Sequence, residues 1–363
     1  MQRTIARRLA KFRARLRRLK PDAALITDTV NVRYLSGFTG DGSALLITQS
    51  HALFVTDFRY VEQAEAECPG YHVLRRRDGT AKVVAREARK LGVSNLGIEQ
   101  NVLTLETADI LKEELRNIKT VKAGGIVEDL RAIKDRGEIL AIRACADAAD
   151  KALEHVKTFL VPGIREGDIA AELEYFARRL GFDGLSFPPI VAFGPRGSLC
   201  HAPTTNRRLR AGEPVLIDCG VTRSGYCSDL TRVFFHNKIP ARFRRIYKVV
   251  LEAQARAICR VRPGALAKDI DQAARTYIAD AGYGRRFGHS LGHGIGLRVH
   301  ETPSLAAGSC TVLKKGMVFT VEPGIYIPGF GGVRIEDDVL VTTRGAEILS
   351  HTPRALNDVI IGG

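Results

Sequence analysis

Apolar residues in the first twenty positions fall at Ile5, Leu9, Phe12, Leu16 and Leu19, steps of four and three that draw one stripe along a helix. Short β-rich runs follow at "DAALIT", "NVRYLSGFTGDGSALLIT" and "HALFVTDFRY", then a helix from Val61. "RRDGTAKVVAREARKLGV" reads as a further helix and "NLGIE" as a strand. Helices alternating with short strands predict a sheet with helices packed on it over residues 1–125. "GGIVEDLRAIKDRGEI" shifts from a glycine turn to dense charge, which places a linker over 126–137 and a second domain over 138–363. That domain opens on a long helix with Ile139, Ile142, Ala146 and Ala149 on one side.

The second domain repeats itself. Pro162–Gly163 and Pro263–Gly264 are 101 residues apart, as are Asp168 and Asp269, and Gly181 and Gly282. An offset constant over a whole turn–helix–turn unit predicts two copies of one α/β half about a pseudo-twofold axis. Each half ends in a strand-rich stretch that reads as an antiparallel hairpin. The first is "EPVLIDCGVTRSGYCSDLTRVFF", with its turn near Arg223–Gly225; the second is "GMVFTVEPGIYIPGFGGVRIEDDVLVT", with its turn near Pro328–Gly332. The fold class is α/β in the first domain and α+β in the second.

Composition narrows the class. With 45% apolar and 26% charged residues the chain reads as a folded protein, and no run approaches the eighteen apolar residues of a membrane-spanning helix. Seven scattered cysteines without CxxC pairs fit free thiols and a cytoplasmic setting. The first twenty residues hold nine Lys or Arg and no acid, so the remainder accounts for only +6 of the +15 net charge. That segment lacks a secretory apolar core and reads as a surface helix with its arginines in water. A nucleic-acid partner would rest on this helix alone, without interleaved aromatics, and is not expected.

Chemistry concentrates in the two hairpins. Asp218 lies inside the apolar run "VLIDCG", where a carboxylate is costly to bury unless it is paired or holds a cation. Asp229 follows eleven residues on; the second hairpin repeats the arrangement with Glu322 and Glu336, fourteen apart. Four carboxylates on facing hairpins repel one another in a dry interior, and two divalent ions sharing bridging carboxylates would relieve them. "GHSLGHGIGLRVHE" adds His289, His293 and His300. The spacing of His289 and His293 resembles the zincin motif, but residue 290 is Ser where that motif has its base. A single ligand at His293, with the glycines letting the backbone approach the metal, fits better.

In this order, "LIDCG", "SDLTR", "GHGIGLRVHE", "VEPGIYI" and "RIEDD" resemble the pita-bread metallopeptidases, in the branch of aminopeptidase P and prolidase. "NVRYLSGFTG" and "TDFRYVEQA" are similar to the N-terminal domain of that branch, which creatinase shares and methionine aminopeptidases lack. The resemblance implies a creatinase-like N-terminal domain and a pita-bread catalytic domain. It further implies a dinuclear centre, with Asp229 and Glu336 bridging, Asp218 on one ion, and His293 and Glu322 on the other. Manganese is the expected metal, with cobalt or zinc able to substitute. His201 in "SLCHAP" and His300 match the histidines that bind the scissile carbonyl, and Glu322 would shuttle the proton to the leaving proline nitrogen. His289, Tyr326 and Arg334 are expected near the substrate.

The loop before His201 departs from the family pattern, with Phe193 and Arg196 where small or polar residues are usual. Creatinase keeps no metal set and pseudo-enzymes of the fold have lost ligands; all five positions are filled here. The expected substrates are proline-containing peptides, cleaved by a homodimer. The compact N-terminal domain favours an Xaa-Pro aminopeptidase, with an Xaa-Pro dipeptidase (prolidase) as the alternative. A dipeptidase must capture the free carboxylate of proline, for which Arg196, Arg298 and Arg334 are the candidate cations.

Overall fold

The computed structural model describes residues 2–362 and separates into two compact units between Arg131 and Ala132. In the first, helix α1 (Gln2–Leu19) buries Leu9, Phe12 and Leu16 and leaves most of its basic residues exposed. The stripe docks as its spacing requires, except that Leu19 at the helix end lies in solvent.

A sheet and its helices follow: β1 (Ala23–Ile26), α2 (Thr29–Ser36), β2 (Ala44–Thr48), β3 (Ala52–Thr56), α3 (Val61–Glu67) and β4 (His72–Arg75). Next come α4 (Thr80–Lys90), β5 (Asn95–Ile98), α5 (Leu105–Leu115), β6 (Lys119–Lys122) and α6 (Ile126–Arg131). The six strands are ordered β4-β3-β2-β1-β5-β6, antiparallel from β3 to β1 and parallel at both flanks. Asp28 starts α2 by accepting the Val30 and Asn31 amides, and Gly37 ends it in the left-handed region at φ 85°. Residues 126–137, expected as linker, form α6 and the start of the next helix.

The second unit opens on α7 (Arg136–Lys157), which buries Ile142, Cys145, Ala146 and Ala149 along one face. Asp135 and Glu138 close a capping box at its start. The next elements are α8 (Glu166–Arg179), β7 (Gly184–Leu185), β8 (Ile190–Phe193), β9 (Pro214–Cys219), β10 (Val221–Arg223), β11 (Tyr226–Cys227) and β12 (Leu230–His236). The second copy brings α9 (Ala241–Ile258), α10 (Ala267–Asp280), β13 (Gly292–Gly294), β14 (Glu301–Leu305), β15 (Val318–Val321), β16 (Gly324–Ile327), β17 (Gly331–Arg334), β18 (Asp337–Val341), β19 (Ala346–Ile348) and β20 (Ile360–Ile361).

The repeat is real in three dimensions: α8 and α10 each have 14 residues and begin 101 positions apart. Each expected hairpin proves to be two nested ones. Antiparallel β9–β12 encloses β10–β11, which leaves for a separate sheet with β7; antiparallel β15–β18 encloses β16–β17. The inserted pairs carry the glycines and polar residues that read as simple turns. Behind the strands one apolar core joins both copies, from Ile169 and Leu173 on α8 to Ile270 and Ala274 on α10. No helix among the described residues is long and apolar enough to cross a membrane.

Candidate metal centre

Strand ends place the acids. Asp218 is on β9 opposite Thr231 on β12; Asp229 stands one residue before β12. Glu322 follows β15, and Glu336 stands one residue before β18, where Asp338 lies opposite Thr320. The two hairpins then exchange bonds about the pseudo-axis. The Asp229 amide donates to Asp338 Oδ2 at 3.1 Å, and the Glu336 amide donates to the Thr231 carbonyl at 3.2 Å. Thr231 and Asp338 each follow a central carboxylate by two positions. Each half thereby orients the acid of the other.

His293 comes from β13, a strand squeezed between β14 and β15. A Cβ at Gly292 would land on the Thr320 carbonyl, and one at Gly294 on the Thr302 carbonyl. These glycines admit the neighbouring strands. The His293 amide donates to Thr320 Oγ1, whose hydroxyl donates to Glu322 Oε1 at 3.2 Å. His293 Nδ1 faces the Gly294 carbonyl at 3.2 Å, so this nitrogen carries the proton. Nε2 is left as a lone-pair donor, 3.4 Å from Glu322 Oε1 and 3.7 Å from Asp229 Oδ2.

The electrostatics disfavour four free carboxylates in this space. Asp229 and Glu336 are held well above the usual carboxylate range by burial first, then by the neighbouring acids. Burial pushes Glu322 up to about 8, with Arg334 pulling it down and Asp218 raising it. His293 falls to about 4 through burial and the nearby His300, so its imidazole is neutral at pH 7. Asp218 Oδ1 and Asp229 Oδ1 are buried without a hydrogen-bond partner, as is Asp338 Oδ1. Ligand atoms of Asp229, His293 and Glu336 lie within 4.8 Å of one another. Orphaned carboxylate oxygens around a neutral imidazole fit divalent cations.

The other expected site residues sort into two groups. His201, His289, His300 and Arg334 line the same cavity of about 700 Å³ as Asp218, Asp229, His293, Glu322 and Glu336. Its apolar wall includes Phe187, Pro188, Pro189 and Ile190. Tyr326 is instead buried and does not line the cavity. Its hydroxyl accepts from Arg334 Nη1 at 3.0 Å and lies 2.9 Å from His289 Nε2. Since His289 Nδ1 faces the Ser290 carbonyl and burial lowers this imidazole to about 4, the tyrosine donates to Nε2.

Arg334 is fully engaged. Nη2 meets Asp218 Oδ2 at 2.5 Å, Nη1 also reaches the Cys200 carbonyl, and Nε donates to Thr231 Oγ1. That hydroxyl in turn donates a hydrogen bond to Glu336 Oε2 at 2.5 Å. Arg196 is engaged with Glu166 and the Pro203 carbonyl, and Arg298 is exposed two residues before His300. Thr231, Thr320 and Asp338 were not anticipated. Superposing "DLTR" on "EDDV" within the repeat would have flagged the pair at positions 231 and 338.

Two family models match. Residues 8–133 match the creatinase/prolidase N-terminal domain, and residues 141–343 match metallopeptidase family M24. The chain belongs to family M24. A solved Xaa-Pro dipeptidase from Bacillus anthracis superposes with a TM-score of 0.95 at 40% identity, covering 98% of this chain and 100% of that one. The Xaa-Pro dipeptidase of Pyrococcus horikoshii is 37% identical over 92% of this chain and 94% of its own. An X-Pro aminopeptidase structure from Thermotoga maritima gives a TM-score of 0.87 at 35% identity, over 96% and 99% of the two chains. The M24 protein is thus a metallo-exopeptidase by family, with the creatinase-type first domain and the pita-bread second domain that its motifs imply.

Proposed function

We propose that this M24 protein is an Xaa-Pro dipeptidase working with two divalent ions, manganese in the cell. The cluster of four carboxylates and one neutral imidazole, with two oxygens left bare, carries the metal reading. Asp229 and Glu336 would bridge, Asp218 would complete one ion, and His293 and Glu322 the other. The ions, when bound, would supply an activated water and polarise the scissile carbonyl.

The chain's own groups do the rest. His201 and His300 face the cavity from opposite segments and donate to the carbonyl oxygen as negative charge develops on it. Glu322, at the edge of the cluster, would take the proton of the attacking water and deliver it to the leaving proline nitrogen. The pyrrolidine ring packs on the wall of Phe187, Pro188, Pro189 and Ile190.

Support for a dipeptide substrate comes from the relatives. The aminopeptidase expectation leaned on the compact N-terminal unit, yet the B. anthracis dipeptidase aligns over its entire length and shares that unit, so the feature does not discriminate. One observation favours the aminopeptidase as second reading: Arg196 and Arg334, two of the three candidate carboxylate clamps, are already spoken for. Seven unpaired cysteines support a cytoplasmic setting, and a homodimer is the proposed assembly.

A substrate panel under manganese tests the proposal. Xaa-Pro dipeptides should turn over at least about tenfold faster, in kcat/KM, than the corresponding Xaa-Pro-Yaa tripeptides. Exhaustive chelation should abolish both rates. Preferred cleavage of the longer peptides would establish the aminopeptidase instead; turnover surviving chelation would remove the metal reading.

A further inference from the structure

The loop that carries His201 is held from below by a carboxylate outside the site. Glu166, the first residue of α8, has no exposed surface and spends both oxygens on one loop. Oε1 accepts the Phe193 amide at 3.0 Å and Arg196 Nε at 3.1 Å, both at the loop's entry. Oε2 accepts the Thr205 amide at 3.0 Å and the Thr205 hydroxyl at 2.5 Å, both at its exit. Arg196 then spans the loop and donates from Nη2 to the Pro203 carbonyl at 2.5 Å. The tip is pinned separately, by Arg334 Nη1 on the Cys200 carbonyl at 3.0 Å. Residues 200–204 line the cavity between these fixed points.

His201 itself is exposed, so nothing buried grips its ring directly. Its placement is set by the backbone on either side. We propose that Glu166, with Arg196 and Thr205, is a positioning clasp that holds the His201 loop at the distance its imidazole needs to meet the scissile carbonyl. The inference rests on the role proposed for His201. It also accounts for the arginine at position 196: its guanidinium completes the charge of a buried carboxylate and shortens the loop by a second tie.

The geometry makes the charge essential. Four donors converge on one carboxylate, and a carboxamide offers only one acceptor oxygen. Glu166→Gln therefore sets an NH2 group against either the entry donors or the exit donors, and one end of the loop lets go. A displacement on the order of 1 Å at a group that stabilises developing charge costs up to about a hundredfold in rate.

The test is a double-mutant cycle on Xaa-Pro hydrolysis, with metal content and thermal melting recorded for each protein. E166Q should lower kcat by about tenfold or more, with KM changed less than about threefold and metal content unchanged. His201→Ala should be crippled likewise. In the H201A background E166Q should cost less than about twofold, because the clasp has nothing left to position. Equal losses in both backgrounds would overturn the clasp while leaving His201 in its role. A fully active H201A would remove that role, and any loss in E166Q would then have another cause. Should E166Q fail to fold, Thr205→Val, which keeps the Thr205 amide tie, and Arg196→Met, which removes both arginine ties, enter the same cycle, where additive losses overturn the proposal.

Discussion

Glu213 shows how single acids outside the centre are tuned. Burial pushes its carboxyl up, but the Arg207 fork, with Nη2 on Oε1 at 2.5 Å and Nη1 on Oε2 at 2.8 Å, more than reverses this, and the group ends below its usual range. A lowered folded value gives stability that is present above the unfolded value, about 4.3, and lost as the pH falls through the folded one. The destabilisation caused by Glu213→Gln should therefore be complete above about pH 5 and fade as the pH falls below it. Thermal melts of the two proteins across that range check the sign. A penalty that grows on acidification would mean the pair is not what holds this turn. At the same scale, the candidate site was legible wherever a residue broke its local pattern: Asp218 stands in an all-buried strand, and Glu322 directly follows another. Glu166 was not legible, because an acid opening a helix after Pro-Gly already has an ordinary explanation in the helix dipole.

Among elements, β12 bears the most traffic. Arg232 on this strand is fully buried and meets Asp337 Oδ1 on β18 at 2.7 Å. It also donates to the Glu336 and Thr352 carbonyls, while Asp337 Oδ2 takes Gln254 and Arg354. Both partners of the pair have zero exposure, so removing one leaves the other charged in the core. Asp337→Asn should destabilise the second unit by about 3–5 kcal/mol, read from urea unfolding. Loss of under about 1 kcal/mol would show that Arg232 does not depend on the Asp337 charge. The strands themselves were readable from alternation and from the repeat. Their nesting was not, since β10–β11 and β16–β17 leave the main sheets at glycines and polar residues that a linear reading takes for turns. The packing at the glycines around His293 was hidden for a similar reason: what presses on Gly294 is Thr302, a residue brought back by the β13–β14 bulge.

On the scale of the whole chain, the first unit's sheet and the doubled second unit followed from periodicity and from the 101-residue offset. Hydrogen bonds between halves did not, because they join residues more than a hundred positions apart, such as Asp229 with Asp338. The charge of the first twenty residues also finds a plain place. Leu9, Phe12 and Leu16 are buried, Arg13 donates to the Thr48 carbonyl, and Arg17 reaches Gln49.

The reciprocal exchange across the pseudo-axis has a consequence for inheritance as much as for chemistry. If one half orients the acids of the other, a single ancestral half could have built this arrangement only by pairing with a copy of itself, and today's halves remain complementary parts. The chain supplies a natural place to part them. Asn237–Pro240 runs between β12 and α9, while β20 returns from the far end to lie parallel to β12, with Phe235 opposite Ile360. Fragments 1–238 and 239–363, produced together, should associate and recover metal-dependent activity, each alone remaining unfolded in its pita-bread portion by circular dichroism. A lone fragment that folds and binds manganese would show that one half suffices.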